Sequence, residues 1–525
     1  MVPSSLKAAS VGALLSIFGA SAGANNIAAD VSSAIGLTQT EVHNLQIDGY
    51  LDSTVLVDVT IDNFDYQLQM HPHSVRTQNY QVLEQLSDGS LINVAPAPVR
   101  TYRGTMLGAP GSTVSGSIED TGLYARIQMN GTEWWIQPIA QHVPSARPSQ
   151  HAIYKTSWVL PVSGMCGSDS LATNVQNQDF GSFGAPSTHG ILNVAELACD
   201  TDFEYFQDYG SSTAVQNRIN TVINAMNSQY ETEVDITHEI GTIIVRSSSN
   251  DPYSSNDAGT LLNQFRSEWV NNQGGVSRDI AHMFTGRSIN GGTIGIAWLG
   301  VICNSNFGYG LVESDFTGNF SCTTDLSAHE LGHNWNAGHC SCSSNTMNPF
   351  ITCANTFTTG SRNSIISHRN SRSCLSTGGP GETELFSDGF ESGDFTAGGW
   401  VLTTSRPRVK TAARRTGSWG SRIRRSSAIE RTVSTAGFKD IRVEFSRRTR
   451  NLDAGENLTV EWFNGSSWII IEVVGDTGNA WSDLSFDLPS GANNRSNFRV
   501  RFTTNASQGK ERGDVDNVKT FGVPL

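Results

Sequence analysis

The chain has 525 residues, a formal net charge of −14 and 38% hydrophobic residues. This length exceeds what one hydrophobic core usually organises, so we expect two to four domains. No apolar stretch of 18 residues follows the N-terminal region, which excludes a membrane-spanning helix from the expected architecture.

The N-terminus has the pattern of a secretory signal peptide. Lys7 is the one positive side chain near the start, residues 8–20 are small and apolar, and small residues at Ala20, Ala22 and Ala24 offer cleavage sites. The apolar run is too short for a membrane anchor. We assign residues 1–24 to the signal peptide and expect an extracellular, oxidising destination with no transmembrane anchor.

Residues 25–190 are predicted to be rich in β-strands. Val55, Val57, Val59 and Ile61 alternate on one strand face, and residues 115–137 are interrupted at Asp120-Thr121-Gly122 and Asn130-Gly131, which are hairpin signals. These patterns indicate a β-rich globular domain and no more.

Residues 191–376 are predicted to alternate helices with strands. Apolar side chains recur at helical spacing over residues 215–230 and 258–269, and we interpret both stripes as core-facing. Strand candidates are residues 234–236, 241–246, 279–284 and 293–299. This alternation predicts layered α/β packing.

The strongest functional signal is His329-Glu330-Leu331-Gly332-His333, followed by His339. Residues four apart share a helix face, so His329 and His333 can bind one Zn²⁺ with Glu330 beside it as the catalytic base. His339 is too far along to share that face on a straight helix, so the chain must turn back at about Asn336, a residue type that tolerates the left-handed conformation. Three protein ligands leave a fourth zinc position for water.

With Thr346-Met347-Asn348-Pro349 downstream, this region resembles the metzincin metalloproteases, whose pattern is H-E-x-x-H-x-x-G-x-x-H followed by a methionine turn. Asn336 stands where the family has Gly. The Gly292-Thr293-Ile294-Gly295-Ile296-Ala297-Trp298 segment and Cys303 are similar to the reprolysin or adamalysin branch. The resemblance implies an α/β metzincin catalytic domain and an apolar floor at Met347 beneath the metal.

The resemblance also implies further features. Cys303 and Cys374 occupy positions similar to a reprolysin disulfide, and residues 293–299 correspond to the sheet edge that pairs with an extended substrate peptide. Cys322, Cys340, Cys342 and Cys353 have three possible connectivities, and a second zinc cluster at Cys340 and Cys342 is the disfavoured alternative.

Tyr102-Arg103-Gly104-Thr105 and Trp134-Trp135-Ile136-Gln137-Pro138 resemble a reprolysin-type propeptide, which makes residues 25–190 the inhibitory part of a zymogen. Gly164-Met165-Cys166-Gly167 is similar to a cysteine switch, in which a thiolate fills the fourth zinc position. Because a switch at Cys166 leaves seven of the eight cysteines, a Cys166–Cys199 disulfide stays open as the alternative.

No Lys or Arg lies between Lys155 and Arg218. An activator that cuts after basic residues therefore has no site near the boundary. We expect self-cleavage, or cleavage by a protease without basic specificity, around residues 180–191.

A flexible linker is predicted at residues 377–383 and an all-β sandwich at residues 384–525. Its ends resemble jelly-roll accessory modules of bacterial secreted hydrolases. Acidic residues at those ends could hold a structural Ca²⁺, with solvated turn carboxylates as the favoured alternative.

The C-terminal module is basic although the chain is acidic. From Leu385 onward there are 20 Lys and Arg against 16 Asp and Glu, and between Arg406 and Arg450 there are 14 basic and 3 acidic residues. This density fits an acidic polysaccharide or a cell envelope, with a solvated strand face as the alternative. No nucleic-acid motif accompanies it, so we expect no nucleic-acid partner.

Together these features predict a secreted zinc endopeptidase that hydrolyses peptide bonds with a zinc-bound water activated by Glu330. One alternative is an adhesion or binding protein on an inactive protease scaffold, which the intact Glu330 disfavours. The other is a zinc hydrolase of non-peptide amides.

Overall fold

The computed structural model describes residues 22–48, 53–109, 111–171, 192–377 and 383–524. Most of the expected signal peptide, the expected cleavage region at residues 180–191 and most of the expected linker lie outside these ranges. Within them, the predicted multidomain architecture is confirmed: an N-terminal antiparallel sheet, a central mixed α/β domain and C-terminal antiparallel sheets.

The N-terminal part begins with helix α1 (Ala22–Ala34), whose first residues fall inside the expected signal peptide. Its strands are β1 (Glu41–Asn44), β2 (Ile47–Asp48), β3 (Val55–Ile61), β4 (Phe64–Pro72), β5 (Arg76–Gln85), β6 (Leu91–Val94), β7 (Thr101–Leu107), β8 (Thr113–Glu119), β9 (Gly122–Met129), β10 (Thr132–Pro138), β11 (Gln150–Lys155) and β12 (Met165–Cys166). Nine of them form one sheet in the order β1-β11-β10-β9-β8-β7-β4-β3-β2. The alternation in β3 buries Val55, Val57, Val59 and Ile61, as predicted.

The central domain contains α2 (Phe203–Tyr209), α3 (Ser212–Val234), α4 (Ala258–Asn271), α5 (Phe320–Asn334) and α6 (Thr359–Asn370). Its strands are β13 (Asn193–Thr201), β14 (Ile236–Val245), β15 (Ile280–Thr285), β16 (Thr293–Ala297), β17 (Tyr309–Glu313) and β18 (Ser376–Thr377). The separate strand predicted at residues 234–236 is wrong. Val234 ends α3, Asp235 takes a left-handed φ of 51°, and one continuous strand then runs from Ile236 through the second candidate.

The central sheet crosses the predicted domain boundary. Its order is β12-β16-β17-β15-β13-β14-β5-β6, so strands from the N-terminal part occupy both ends. β12 pairs in parallel with β16, and β5 pairs in parallel with β14. Buried residues from both parts, such as Val82, Trp135, Ile219 and Ile243, belong to one hydrophobic core. The two parts therefore fold against each other and share apolar burial.

The C-terminal module has its own core around Trp400, Phe445, Trp462 and Phe502. Its strands are β19 (Thr383–Asp388), β20 (Trp400–Leu402), β21 (Arg408–Lys410), β22 (Gly420–Arg424), β23 (Ser426–Val433), β24 (Phe438–Arg450), β25 (Leu458–Phe463), β26 (Trp468–Val474), β27 (Ser482–Asp487), β28 (Phe498–Asn505) and β29 (Arg512–Pro524). They form two antiparallel sheets, one with the path β21-β22-β29-β24-β27 plus β19, the other β20-β23-β28-β25-β26.

The acidic residues considered for Ca²⁺ lie in turns of this module. Glu391 accepts hydrogen bonds from the backbone N–H groups of Ser418 and Trp419, and Asp516 accepts from those of Arg415 and Thr416. Because these oxygens already have N–H donors, the geometry favours turn carboxylates over a calcium site.

Candidate active site

Helix α5 places the first two predicted ligands. Asn319 caps it by accepting a hydrogen bond from the Cys322 N–H, and every residue of the helix is buried. His329 and His333 share one face, with their Nε2 atoms 3.0 Å apart. The helix ends at Asn334, and Asn336 has the left-handed φ of 74° that the sequence suggested for this position. This turn brings His339 Nε2 to 3.2 Å from His333 Nε2.

The other nitrogen of each imidazole has an acceptor. His329 Nδ1 is 2.5 Å from the Thr346 carbonyl, His333 Nδ1 is 2.8 Å from the Ala337 carbonyl, and His339 Nδ1 is 3.0 Å from Asp169 Oδ2. With Nδ1–H donating, the Nε2 lone pairs converge on one point. Burial lowers the pKa of His329 to about 3 and that of His333 well below its ordinary value, which keeps both rings neutral. Three converging lone pairs repel one another unless a cation lies between them, so the donor set fits Zn²⁺.

Cys166 completes this group. Its Sγ lies 3.4 Å from His333 Nε2 and 3.5 Å from Glu330 Oε2, and all four candidate ligand atoms lie within 4.8 Å of one another. Burial, followed by the neighbouring Glu330 carboxylate, raises the pKa of the Cys166 thiol well above its usual range. A nearby cation is the charge that would favour the thiolate.

The segment around Cys166 is held as an extended strand between two walls. On one side Gly167 N–H donates to the Gly295 carbonyl of β16 at 2.9 Å. On the other, Cys166 N–H donates to the Pro349 carbonyl and Ile351 N–H donates to the Gly164 carbonyl, both at 3.0 Å. A Cβ at Gly164 would lie 2.3 Å from Ile294 Cδ1, which explains why a glycine stands two residues before Cys166.

Glu330 lies against strand β16 at Gly295. Its Oε1 is buried and has no hydrogen-bond partner among the described residues, and burial raises the pKa of the carboxyl to about 8. A Cβ at Gly295 would lie 2.4 Å from Oε1. Gly295 therefore gives Glu330 the space it occupies, a role that we did not assign from the sequence.

Met347 is fully buried under α5, where a Cβ on Gly332 would lie 2.5 Å from its Sδ. The preceding Thr346 supplies the carbonyl that accepts from His329, and its hydroxyl donates to Asp325 Oδ1 at 2.7 Å. Asp325 also accepts from the N–H groups of Ala354 and Asn355, both at 3.0 Å. Sequence reasoning missed Asp325, although its position one helical turn before His329 was a usable signal.

Cys303 is joined to Cys374, Cys322 to Cys353 and Cys340 to Cys342. Cys166 and Cys199 are both free, with Cys199 buried on β13. The Cys166–Cys199 bridge and the second zinc cluster are therefore absent from the described residues.

Part of the sequence is similar to known metallopeptidases. Residues 192–378 match the family model Reprolysin_5, Metallo-peptidase family M12. Snake venom metalloproteinase trimerelysin-2 of Protobothrops flavoviridis is 27% identical over 173 residues, covering 30% of this chain and 80% of the relative. Snake venom metalloproteinase TM-1 of Protobothrops mucrosquamatus is 28% identical over 147 residues, covering 27% and 71%. Metalloproteinase-II from Bacteroides fragilis aligns with a TM-score of 0.35 and 12% identity, covering 59% of this chain and 90% of that structure.

Across the described part of the chain, no helix is both long and apolar enough to cross a membrane. The family match covers the central domain that holds α5 and β16. Residues 192–378 therefore form a reprolysin-like metallopeptidase domain of family M12, and the chain is a metalloendopeptidase.

Proposed function

We propose that this protein is a secreted, zinc-dependent endopeptidase made as a zymogen. The observation that carries the proposal is the convergence of His329, His333 and His339 Nε2 atoms beside the buried, unpartnered Glu330 Oε1. Zinc held by these nitrogens would supply a Lewis acid for the scissile carbonyl and lower the pKa of a water molecule.

Glu330 is the proposed catalytic base. Its Oε1 would accept the proton of the attacking water and return it to the leaving amine, which is general acid–base catalysis by one carboxylate. Burial raises the pKa of this carboxyl. A carboxyl with a raised pKa can both take the proton from the water and hold it until it passes to the leaving amine.

The two walls around Cys166 are the proposed substrate cleft. β16 and the segment of Pro349 and Ile351 already hold an extended chain by backbone hydrogen bonds on both sides. This arrangement suits an extended peptide by strand addition and does not suit a compact small molecule.

Residues 25–190 are the proposed propeptide, residues 191–376 the catalytic domain and residues 384–525 the accessory domain. In the latent form Cys166 would be the fourth zinc ligand and would exclude water from Glu330. The Asp169 carboxylate, three residues on, accepts from His339 Nδ1 at 3.0 Å, so the propeptide contacts both the ligand set and its surroundings. Activation would require cleavage around residues 180–191.

The test compares the matured wild type with Glu330→Ala and His333→Ala for casein cleavage and for bound zinc. We expect Glu330→Ala to keep zinc and lose cleavage, and His333→Ala to lose both. A matured wild type that binds zinc but cuts no peptide would overturn the proposal and favour a binding protein on an inactive scaffold. Cleavage confined to non-peptide amides would favour the zinc amidase alternative.

A further inference from the structure

The outer face of one C-terminal sheet carries a cross-strand cluster of arginines. Ile423 on β22 and Val515 on β29 point into the core. The residues next to each of them along the strand therefore point outward. In register across four strands, one row is Arg408, Arg422, Asp514 and Arg448, and the next is Arg424, Arg512 and Arg450. We call these six arginines the arginine face.

The single carboxylate of this face is already shared. Asp514, with a side chain 1% exposed, accepts from Arg422 Nε at 2.7 Å and from Arg448 Nε at 3.0 Å. Arg512 Nε lies 3.8 Å from the same carboxylate and has no hydrogen-bond partner among the described residues. Arg424 and Arg450 have no ion-pair partner among the residues that the structure describes.

The neighbouring arginines destabilise the module when no anion is bound to them. Adjacent strands are about 4.8 Å apart, and like charges directly opposite each other in a sheet are destabilising. Burial and the charges of Arg422, Arg450 and Arg448 lower the pKa of Arg512, although Asp514 raises it. With one carboxylate among six guanidinium groups, the face keeps a net positive electrostatic potential, which a bound anion would neutralise.

The opposite sheet of the module shows the contrast. There Arg499 pairs with Glu430 at 2.7 Å and Arg501 pairs with Glu461 at 2.8 Å. Each of these arginines is neutralised within its own strand neighbourhood. Basic composition alone therefore does not produce an unneutralised face; the register of β22, β29 and β24 does.

The shape of the face selects among polyanions. It spans β21, β22, β29 and β24, and the Ala412 carbonyl beside it accepts hydrogen bonds from Arg422 and Arg448. Residues 383–524 contain strands and two short 3-10 segments and no α-helix that could enter a DNA groove. Single-stranded nucleic acid is held by aromatic rings that stack successive bases, whereas one ring, Trp481, accompanies the cluster, with Arg448 4.7 Å from its centroid. A linear sugar polymer with a carboxylate or sulfate on each repeat fits a two-row array of guanidinium groups, because each anion can bind a fork of N–H donors.

We propose that the arginine face binds a linear anionic polysaccharide. The inference does not depend on the peptidase proposal, because the face lies in a module with its own core.

The experiment uses the full chain carrying Glu330→Ala to prevent self-digestion. It measures binding to dextran sulfate and to polygalacturonate, with neutral dextran as the uncharged reference, at several salt concentrations. Arg424→Gln/Arg450→Gln should weaken binding about 10-fold or more and should reduce the slope of log affinity against log salt by roughly 1 to 2, since two ion contacts are lost. The matched control, Arg499→Gln/Arg501→Gln, removes the same charge from the opposite sheet and should change affinity less than about twofold.

Equal losses in both double variants would overturn the assignment to this face. Binding no stronger than to neutral dextran would overturn the proposal altogether, and so would tighter binding to DNA or to anionic lipid vesicles than to either polysaccharide.

A second measurement needs no substitution. Dextran sulfate or polygalacturonate should protect Arg424, Arg450 and Arg512 from phenylglyoxal, with Arg499 and Arg501 unprotected, as read by mass spectrometry. Protection of Arg499 and Arg501 instead of Arg424, Arg450 and Arg512 would contradict the proposal.

Discussion

At the scale of single residues, the sequence predicted what lies within one local segment. The spacing of His329, His333 and His339 and the left-handed tolerance of Asn336 are local properties, and the structure brings the candidate ligand atoms together. Gly295 and Asp169 escaped prediction because their partners are distant; Asp169 and His339 are 170 residues apart. Spacing along a chain cannot show which glycine a folded sheet places over a carboxylate.

Gly295→Ala should impair catalysis without removing the metal. The added Cβ would lie 2.4 Å from Glu330 Oε1, so the base must move, and a displacement of about 1 Å can cost on the order of 100-fold in rate. Steady-state cleavage of a peptide substrate and zinc content by elemental analysis check this. Gly275→Ala, where a Cβ meets nothing within 4 Å, is the control. Parallel loss of zinc would contradict the explanation.

Asp325→Asn should weaken zinc binding about 10- to 100-fold, as expected for an outer-shell partner. Asp325 fixes Thr346, whose carbonyl orients His329, and an amide in its place turns a donor toward backbone N–H groups. Competition with a chelator measures the affinity, with Asp208→Asn at an exposed position of α2 as control. Unchanged affinity in Asp325→Asn would show that Thr346 and its neighbours hold His329 without this carboxylate.

At the scale of elements, periodicity predicted most helices and strands, and errors arose where tertiary pairing decides. The helical stripes became α3 and α4, and the segment predicted as all-β contains strands β19 to β29. Periodicity could not show that β5, β6 and β12 leave their neighbours in sequence and join the central sheet. The sequence of a strand does not identify the strand with which it pairs.

Gly164→Ala should loosen β12 and reduce latency. The Cβ would meet Ile294 Cδ1 at 2.3 Å and disturb the backbone bonds that hold Cys166 in the cleft. We expect faster modification of Cys166 by a thiol reagent and measurable cleavage by the uncut chain. Ser163→Ala, next to it, should behave as wild type. Slow modification equal to wild type would contradict the role of the glycine.

The central sheet should lose stability as pH falls. Burial lowers the pKa of His238 and His282 to about 3, and neither nitrogen of His282 has a hydrogen-bond partner among the described residues. The unfolded chain therefore binds more protons between about pH 6.5 and 3, so stability is lost through that window at up to about 1.4 kcal/mol per pH unit for each histidine. Denaturant unfolding of the metal-free protein at several pH values should show a shallower decline in His282→Leu. His43→Leu is the control, and an equal slope in wild type and His282→Leu would refute the assignment.

At the scale of the whole molecule, the proposed propeptide binds the catalytic sheet at both ends. β12 lies along β16, and β5 lies along β14 with Val82 opposite Ile243. The sequence indicated separate domains because composition and turn signals mark chain segments. Neither composition nor turn signals show that two segments share one hydrophobic core.

Cleavage around residues 180–191 should therefore leave the two pieces associated. We expect them to co-elute in size-exclusion chromatography, with cleavage activity appearing after a second cut or after dissociation. Val82→Asp, which places a charge at a fully buried position of β5, should speed dissociation, whereas Ile92→Asp, at a 42% exposed position of β6, should not. Immediate separation of the wild-type pieces would contradict the second attachment.

The parallel pairing of β5 with β14 also has a consequence for the life of the mature enzyme. Once β5 departs, the backbone groups of Ile240–Val245 become an unprotected sheet edge, and apolar side chains that packed on Val82 meet water. The catalytic domain would then persist through a slow rate of unfolding and would refold poorly by itself, since part of its folding template is gone. Each molecule would be assembled once, with its N-terminal partner, and its working lifetime would be set by kinetics.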